Sequence, residues 1–331
     1  ACGLDAIGSD SLGRAEIDHN KCVSCGMCLV NCPFGAIADK GQIFQTIHAI
    51  KTGVPVYAAV APAFVGQFGK DLTPERLRSA LKELGFADMV EVAVGADLCT
   101  IEEARDFLNE VPQKQPFMAT SCCPAWASMA KQLYPDLAPY ISMALTPMVL
   151  TGRLLKRKHP GCKVVFIGPC SAKKLEASRT EIRSDIDFVL TFEEVAGMFT
   201  AKGVDFKKIA PDGELSNATA DGRGFAVSSG VAEAVVNCIH EMEPGREVKV
   251  ANAESLRDCR KLLDEARKGV YDGYLLEGMA CPGGCVGGAG TMQSPTKAKG
   301  QILMTKKKSV LKNSLESTYK EDLEVLEERN G

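Results

Sequence analysis

The chain has 331 residues, 45% of them hydrophobic, and a formal net charge of −3. This supports one large buried domain with a smaller one attached, and gives no reason to expect nucleic acid or an anionic membrane as partner. Fourteen cysteines fall at short metal-ligand spacings in a long chain, which excludes the small disulfide scaffold and predicts metal binding in a reducing, cytoplasmic compartment.

Residues 1–42 read as a partial α+β iron–sulfur module. Cys22-x-x-Cys25-x-x-Cys28-x-x-x-Cys32-Pro33 matches the bacterial ferredoxin run for a [4Fe–4S] cluster. Cys2-Gly3-Leu4-Asp5-Ala6-Ile7 echoes Cys32-Pro33-Phe34-Gly35-Ala36-Ile37 in a C-x-x-x-A-I frame, the mark of two copies of one small unit. In two-cluster ferredoxins the fourth cysteine of each run ligates the other cluster. On that reading Cys2 completes the set Cys22, Cys25, Cys28, and Cys32 belongs to a second cluster. The alternative closes a single cluster with Cys32 and leaves Cys2 free.

Residues 43–305 read as an α/β domain, entered through a linker and helix over Gly41 to Val54. Val56 to Val60 is a buried strand. Thr73 to Leu84 is a helix with Thr73 as N-cap and Pro74 in the first turn. Met89 to Val94 reads as a strand and Ile101 to Val111 as a helix rich in early acids. Lys163 to Ile167 and Phe188 to Thr191 read as strands, and Glu193 to Ala201, Val231 to Glu241 and Ser255 to Gly269 as helices. Tyr274 to Leu276 is a short strand. Such alternation predicts mostly parallel sheets flanked by helices. Residues 306–331 are charged and helix-favouring, and read as a surface helix or frayed terminus. The longest apolar stretch, around Val54 to Val65, is too short to span a bilayer, and no signal peptide is visible.

Three cysteine loops interrupt this domain. They are Thr120-Ser121-Cys122-Cys123-Pro124-Ala125-Trp126, Gly168-Pro169-Cys170-Ser171-Ala172-Lys173-Lys174, and Glu277-Gly278-Met279-Ala280-Cys281-Pro282-Gly283-Gly284-Cys285. The last continues into Val286-Gly287-Gly288-Ala289-Gly290. Glycine and proline beside a thiolate let backbone approach a metal centre. Four soft ligands from separate loops suit zinc or an iron–sulfur cluster. Cys99, Cys162, Cys238 and Cys259 lack ligand spacing and read as buried small hydrophobes. The four histidines form no local metal pattern, and the glycine runs match no dinucleotide fingerprint.

The loops resemble the signature segments of [FeFe]-hydrogenases. The first is nearly T-S-C-C-P-G-W, with Ala125 for glycine. The second resembles M-P-C-x-x-K-K, with Gly168 for methionine. The third is similar to E-x-M-x-C-x-x-G-C-x-x-G-G-G, with Ala289 for one glycine. The resemblance runs to about Gly300 and fits a less-studied branch of the family. It implies that Cys123, Cys170, Cys281 and Cys285 hold the [4Fe–4S] part of the H-cluster. Cys285 would bridge to a two-iron unit carrying carbon monoxide, cyanide and azadithiolate. Lys173 and N–H groups near Pro62 and Ala63 would meet the cyanides, and Met279 would pack alongside.

The resemblance further implies that Cys122 starts a proton relay through Glu103, Ser142 and Asp106, where Asp106 replaces a longer glutamate. Periodicity alone makes Glu103 and Asp106 a solvated helix face. The implied activity interconverts two protons and two electrons with H2. A ferredoxin-like redox protein would exchange electrons through the N-terminal cluster, and maturation proteins would supply the two-iron unit. Two rival readings stand beside it: a hydrogen sensor, and a non-catalytic iron–sulfur assembly relative of the same fold.

Overall fold

The computed structural model describes residues 2–69, 72–213, 215 and 218–327. The N-terminal module carries an antiparallel hairpin, β1 (Ile7–Ser9) and β2 (Ala15–Ile17), with Ile7 opposite Ile17. One short helix, Met27–Asn31, follows, and Gly26 caps it in the left-handed conformation.

The α/β part is built on two parallel sheets. One holds β3 (Val56–Val60), β4 (Asp88–Glu91), β6 (Lys163–Gly168) and β7 (Phe188–Thr191) in the order β4-β3-β6-β7. The other holds β5 (Met118–Ala119), β8 (Lys249–Glu254) and β9 (Tyr274–Met279) in the order β5-β9-β8. Helices cover both sheets, so the central strands are apolar on both faces. Ala58, Ala59, Val60, Val164 and Val165 are all fully buried, the pattern a parallel sheet demands. Register is tight at the strand ends: Val60 pairs with both Glu91 and Ile167, and Leu276 with both Ala119 and Ala251. The fold is thus α/β, as its alternation predicts.

Local signals set several boundaries. Thr73 Oγ1 accepts the Arg76 N–H at the start of helix Pro74–Leu84, and Gly85 ends it at φ 104°. Thr191 and Glu194 form a reciprocal capping box on helix Phe192–Lys202, which satisfies two otherwise orphaned donors. Ser255 caps helix Leu256–Ala266.

The expected strand over Met89 to Val94 is a correction. The strand stops at Glu91, and a helix spans Ala93–Glu110, eight residues before its expected start at Ile101. Every residue from Glu91 to Ile101 is buried. A helix enclosed on all sides shows no amphipathic period, so Ala93 and Val94 read as strand and the residues up to Thr100 as no element. Gly95 permits this burial: a Cβ there would lie 2.3 Å from the Pro147 carbonyl oxygen of the crossing helix Pro147–Lys158.

The tail is a second correction. Helix Pro295–Lys308 runs into short turns and a last helix, Leu323–Glu327. Leu323 and Leu326 are buried among Leu98, Ile101, Leu150 and Leu154. Ser314 donates its hydroxyl to the buried Asp97 carboxylate, 3.1 Å away, which Thr219 also holds through its N–H and hydroxyl. Burial raises the Asp97 pKa to about 7. Apolar residues sparse among charges left this docking invisible to periodicity; residues beyond 327 lie outside the described set.

Candidate iron–sulfur site

The cysteine loops all follow carboxyl ends of parallel strands. Cys122 and Cys123 come after β5, Cys170 after β6, and Cys281 and Cys285 after β9. Ligand sites of open α/β sheets form at such ends. Cys123 is also the N-cap of helix Pro124–Leu133, whose first turn begins with Pro124. Trp126, fully buried, donates its indole N–H to the Thr120 carbonyl at 2.9 Å and ties this loop down. Gly278 is required beneath that ring, since a Cβ there would lie 2.2 Å from it.

The four loop cysteines share one locality. Burial pushes the Cys170 thiol to about 12, and Cys123 adds to the rise. Burial likewise pushes Cys285 to about 12, with Cys170 and Cys123 contributing. Cys281 is raised by burial and then by Cys170, Cys123 and Cys285. Among the described residues no three His, Cys, Asp or Glu groups close on a single metal ion.

Cys122 borders a further space beside this set. It lines a small cavity of about 60 Å3 together with Lys173, Cys285 and an apolar wall that includes Pro62, Ala63, Met148 and Phe225. Met279 is buried beside Cys122 and Cys123. Pro62 opens a short 3-10 turn, Pro62–Phe64. Proline lacks an N–H, so Ala63 carries the neutral donor expected of this pair. Larger clefts of about 670 and 720 Å3 contain no cysteine.

Glu103 is fully buried on helix Ala93–Glu110 and accepts the Ser121 N–H at 3.1 Å. Burial raises its pKa to about 7, against the stabilising pull of the Ser121 N–H and the nearby Ser142 hydroxyl. Its Oε2 makes no hydrogen bond of good geometry. Cys122, one residue along, is pushed up first by burial and then by Glu103. Asp106 follows one helical turn later, partly exposed, with its pKa raised by burial and by Glu110. Glu103 thus sits beside Cys122 and the Ser142 hydroxyl, and Asp106 lies one helical turn further along.

Lys173 Nζ donates to Glu176 Oε2 at 2.5 Å and to the Cys122 carbonyl at 3.3 Å. Burial opposes its charge, but Glu176 holds its pKa above the ordinary lysine value. Glu176 also accepts the Thr146 hydroxyl at 2.7 Å. Sequence reasoning missed Glu176, although its i+3 spacing from Lys173 places both on one helix face. It also left Glu277 without a role. That residue is fully buried, receives the Ser229 and Ala232 N–H groups at 2.7 and 2.8 Å, and caps helix Gly230–Met242.

In the N-terminal module, Cys2, Cys22, Cys25 and Cys28 line one cavity of about 520 Å3, and Cys32 does not. Burial raises the Cys25 thiol, and the neighbouring Cys2, Cys28 and Cys22 add to it. Cys32 sits apart: backbone N–H groups, first Ala36 and then Phe34, lower its pKa. Ala36 N–H lies 3.3 Å from its sulfur, as Ala6 N–H does from the Cys2 sulfur, so the sequence echo is also an echo of loop shape. Cys99, Cys162, Cys238 and Cys259 are all buried, as expected of small hydrophobes. His19 borders the cysteine cavity but is exposed.

These features define an α/β iron–sulfur protein. Residues 54–289 match the profile of the "iron only hydrogenase large subunit, C-terminal domain", and residues 14–37 that of a 4Fe-4S binding domain. The chain belongs to the iron-only hydrogenase large-subunit family. It is 31% identical to the periplasmic [Fe] hydrogenase large subunit of Nitratidesulfovibrio vulgaris, across 86% of this chain and 88% of that protein. An apo [FeFe]-hydrogenase from Chlamydomonas reinhardtii superposes with a TM-score of 0.72 at 25% identity, covering 88% of this chain and 96% of that one. Cytosolic iron-sulfur assembly component 3 of Bos taurus is 25% identical over 89% of this chain and 76% of its own length. The chain spans only 55% and 54% of the length of two further hydrogenase relatives.

Proposed function

We propose that the chain is a hydrogenase interconverting H2 with two protons and two electrons. The observation that carries this reading is Cys122, turned into a cavity with Lys173 and Cys285 and backed by the buried Glu103. The donor set fits the family's H-cluster: four cysteines at strand ends for a cubane, a cationic donor and a neutral N–H for cyanides, and an apolar wall. Cys123, Cys170, Cys281 and Cys285 would hold the cubane, with Cys285 shared with the two-iron unit. When bound, that unit supplies the open iron at which H2 is made or split.

The protein's own residues do the rest. Cys122 exchanges a proton with Glu103, whose free Oε2 accepts a mediating water. Ser142 and Asp106 pass the proton toward solvent, and the short Asp106 side chain calls for one more water. Lys173, fixed by Glu176, presents positive charge in a low-dielectric wall. The loops exclude bulk water from the centre. Electrons enter through the N-terminal cluster from a ferredoxin-like redox protein, and maturation proteins supply the two-iron unit. No helix among the described residues is long and apolar enough to cross a membrane. A cytoplasmic location remains our proposal, since one relative is named periplasmic and others cytosolic.

Similarity to cytosolic iron–sulfur assembly proteins favours a second reading, a cluster-binding assembly factor. Such a factor has no evident use for a buried thiol wired to Glu103. Infrared spectra and H2 assays of protein matured with a two-iron unit separate the two. Metal-bound carbonyl and cyanide bands with H2 turnover are expected. Cubanes that never accept the two-iron unit would leave the assembly reading in place.

For the N-terminal cluster we propose Cys2, Cys22, Cys25 and Cys28 as ligands, with Cys32 serving another cluster. Cys2→Ala should then weaken the reduced-cluster signal in electron paramagnetic resonance more than Cys32→Ala. The reverse ranking would return Cys32 to this cluster.

A further inference from the structure

Gly26, between Cys25 and Cys28, touches the catalytic loops directly. At φ +78°, a Cβ on Gly26 would lie 2.5 Å from the Ala289 Cβ and 3.3 Å from the Ser171 Cβ. Ser171 adjoins Cys170 and also borders the N-terminal cysteine cavity. Cys25 is near enough to Cys281 to raise its thiol.

Both sides of this contact are held in place. Behind Ala289 the glycine loop has no room to retreat. The Gly290 N–H donates to the Pro169 carbonyl at 2.8 Å. A Cβ on Gly288 would lie 2.5 Å from that oxygen, and one on Gly290 2.5 Å from the Thr191 Cβ. The N-terminal module is held by core packing, with Val23 buried in one cluster with Ala172 and Leu256, and by polar contacts near its rim. Asp39 pairs with Lys174 at 2.8 Å, Gln42 accepts the Val189 N–H at 2.7 Å, and Arg260 reaches the Gly3 carbonyl at 3.2 Å. Extra bulk at the contact is therefore relieved by widening the seam between the module and the glycine loop.

We propose that Gly26 and Ala289 are paired positioning residues whose contact sets the separation between the N-terminal cysteine set and the loop cysteine set. The proposal rests on the iron–sulfur reading above. The methyl of Ala289 stands where the family signature has glycine, and Gly26 leaves the space that methyl fills. Electrons cross here one at a time, the donor cubane losing one as the acceptor gains one, with no bond made or broken.

The test uses the full chain carrying both cubanes, reduced with dithionite, a low-potential one-electron donor. Wild-type protein should show two reduced-cluster signals broadened by mutual magnetic interaction. If two clusters are not present, the iron–sulfur reading itself fails. Gly26→Ala should keep both signals, measurably narrow the broadening and slow inter-cluster electron transfer severalfold in rapid mixing. Gly26→Ala combined with Ala289→Gly should restore the interaction, which a purely local strain at residue 26 would not. Should Gly26→Ala lose its N-terminal cluster, Ala289→Val decides, because it crowds the contact without touching the Gly26 backbone. Unchanged broadening in whichever variant retains both clusters, or no recovery in the double variant, overturns the proposal.

Discussion

Cys122→Ser is expected to lower H2 turnover by roughly 10²–10⁴-fold, the usual cost of losing a positioned acid–base group, while both cubanes and the two-iron unit remain. Sulfur and oxygen are alike in placement here, so packing changes little. What changes is acidity: a thiol titrates near 8.5 in water, and a hydroxyl does not titrate in the accessible range. Burial already pushes Cys122 upward, with Glu103 next, so the pair works only if the donor starts as a thiol. Glu103, raised to about 7 by burial, is neutral below that pH and charged above it, and so can both give and take a proton near neutrality. Turnover assays beside infrared spectra check the claim. Full activity would remove Cys122 from the relay, and loss of the cubane would make it a ligand.

The cysteine framework was legible in the sequence because its chemistry is local. Glycine and proline beside each thiol mark strand-end turns, and the structure places those turns at β5, β6 and β9. The echo between Cys2 and Cys32 was legible for the same reason. Glu103 was not. Periodicity gives it a solvated face, yet it is fully buried, because helix Ala93–Glu110 passes under the Ser121 loop and across helix Pro147–Lys158. That crossing is a tertiary fact written in Gly95, whose meaning appears only beside the Pro147 carbonyl. Here only family resemblance supplied the relay. The docking of the tail through Ser314 and Asp97 was hidden in the same way, as was the partnership of Gly26 and Ala289: each depends on a contact between segments distant in the chain.

Lys173→Ala is expected to cut occupancy of the two-iron unit severely while leaving the N-terminal cluster intact. Two losses combine. The cavity loses the only cation among its described lining residues, and a cyanide-bearing group held in an apolar wall needs charge-assisted donors. Glu176, with a side chain only 3% exposed, also loses its counter-ion. Breaking a buried pair from one side costs about 3–5 kcal/mol because the remaining charge stays uncompensated. Glu176→Gln separates these effects. The amide still accepts from Thr146, so Lys173 stays in the wall with only its tether weakened. This variant should retain most of the two-iron unit and show shifted cyanide bands, since the lysine is less firmly aimed. Thermal unfolding measured alongside reports the structural share of each change. Normal carbonyl and cyanide intensities in Lys173→Ala, in protein that remains folded, would show that the lysine serves Glu176 alone and that the cyanide is held by other donors.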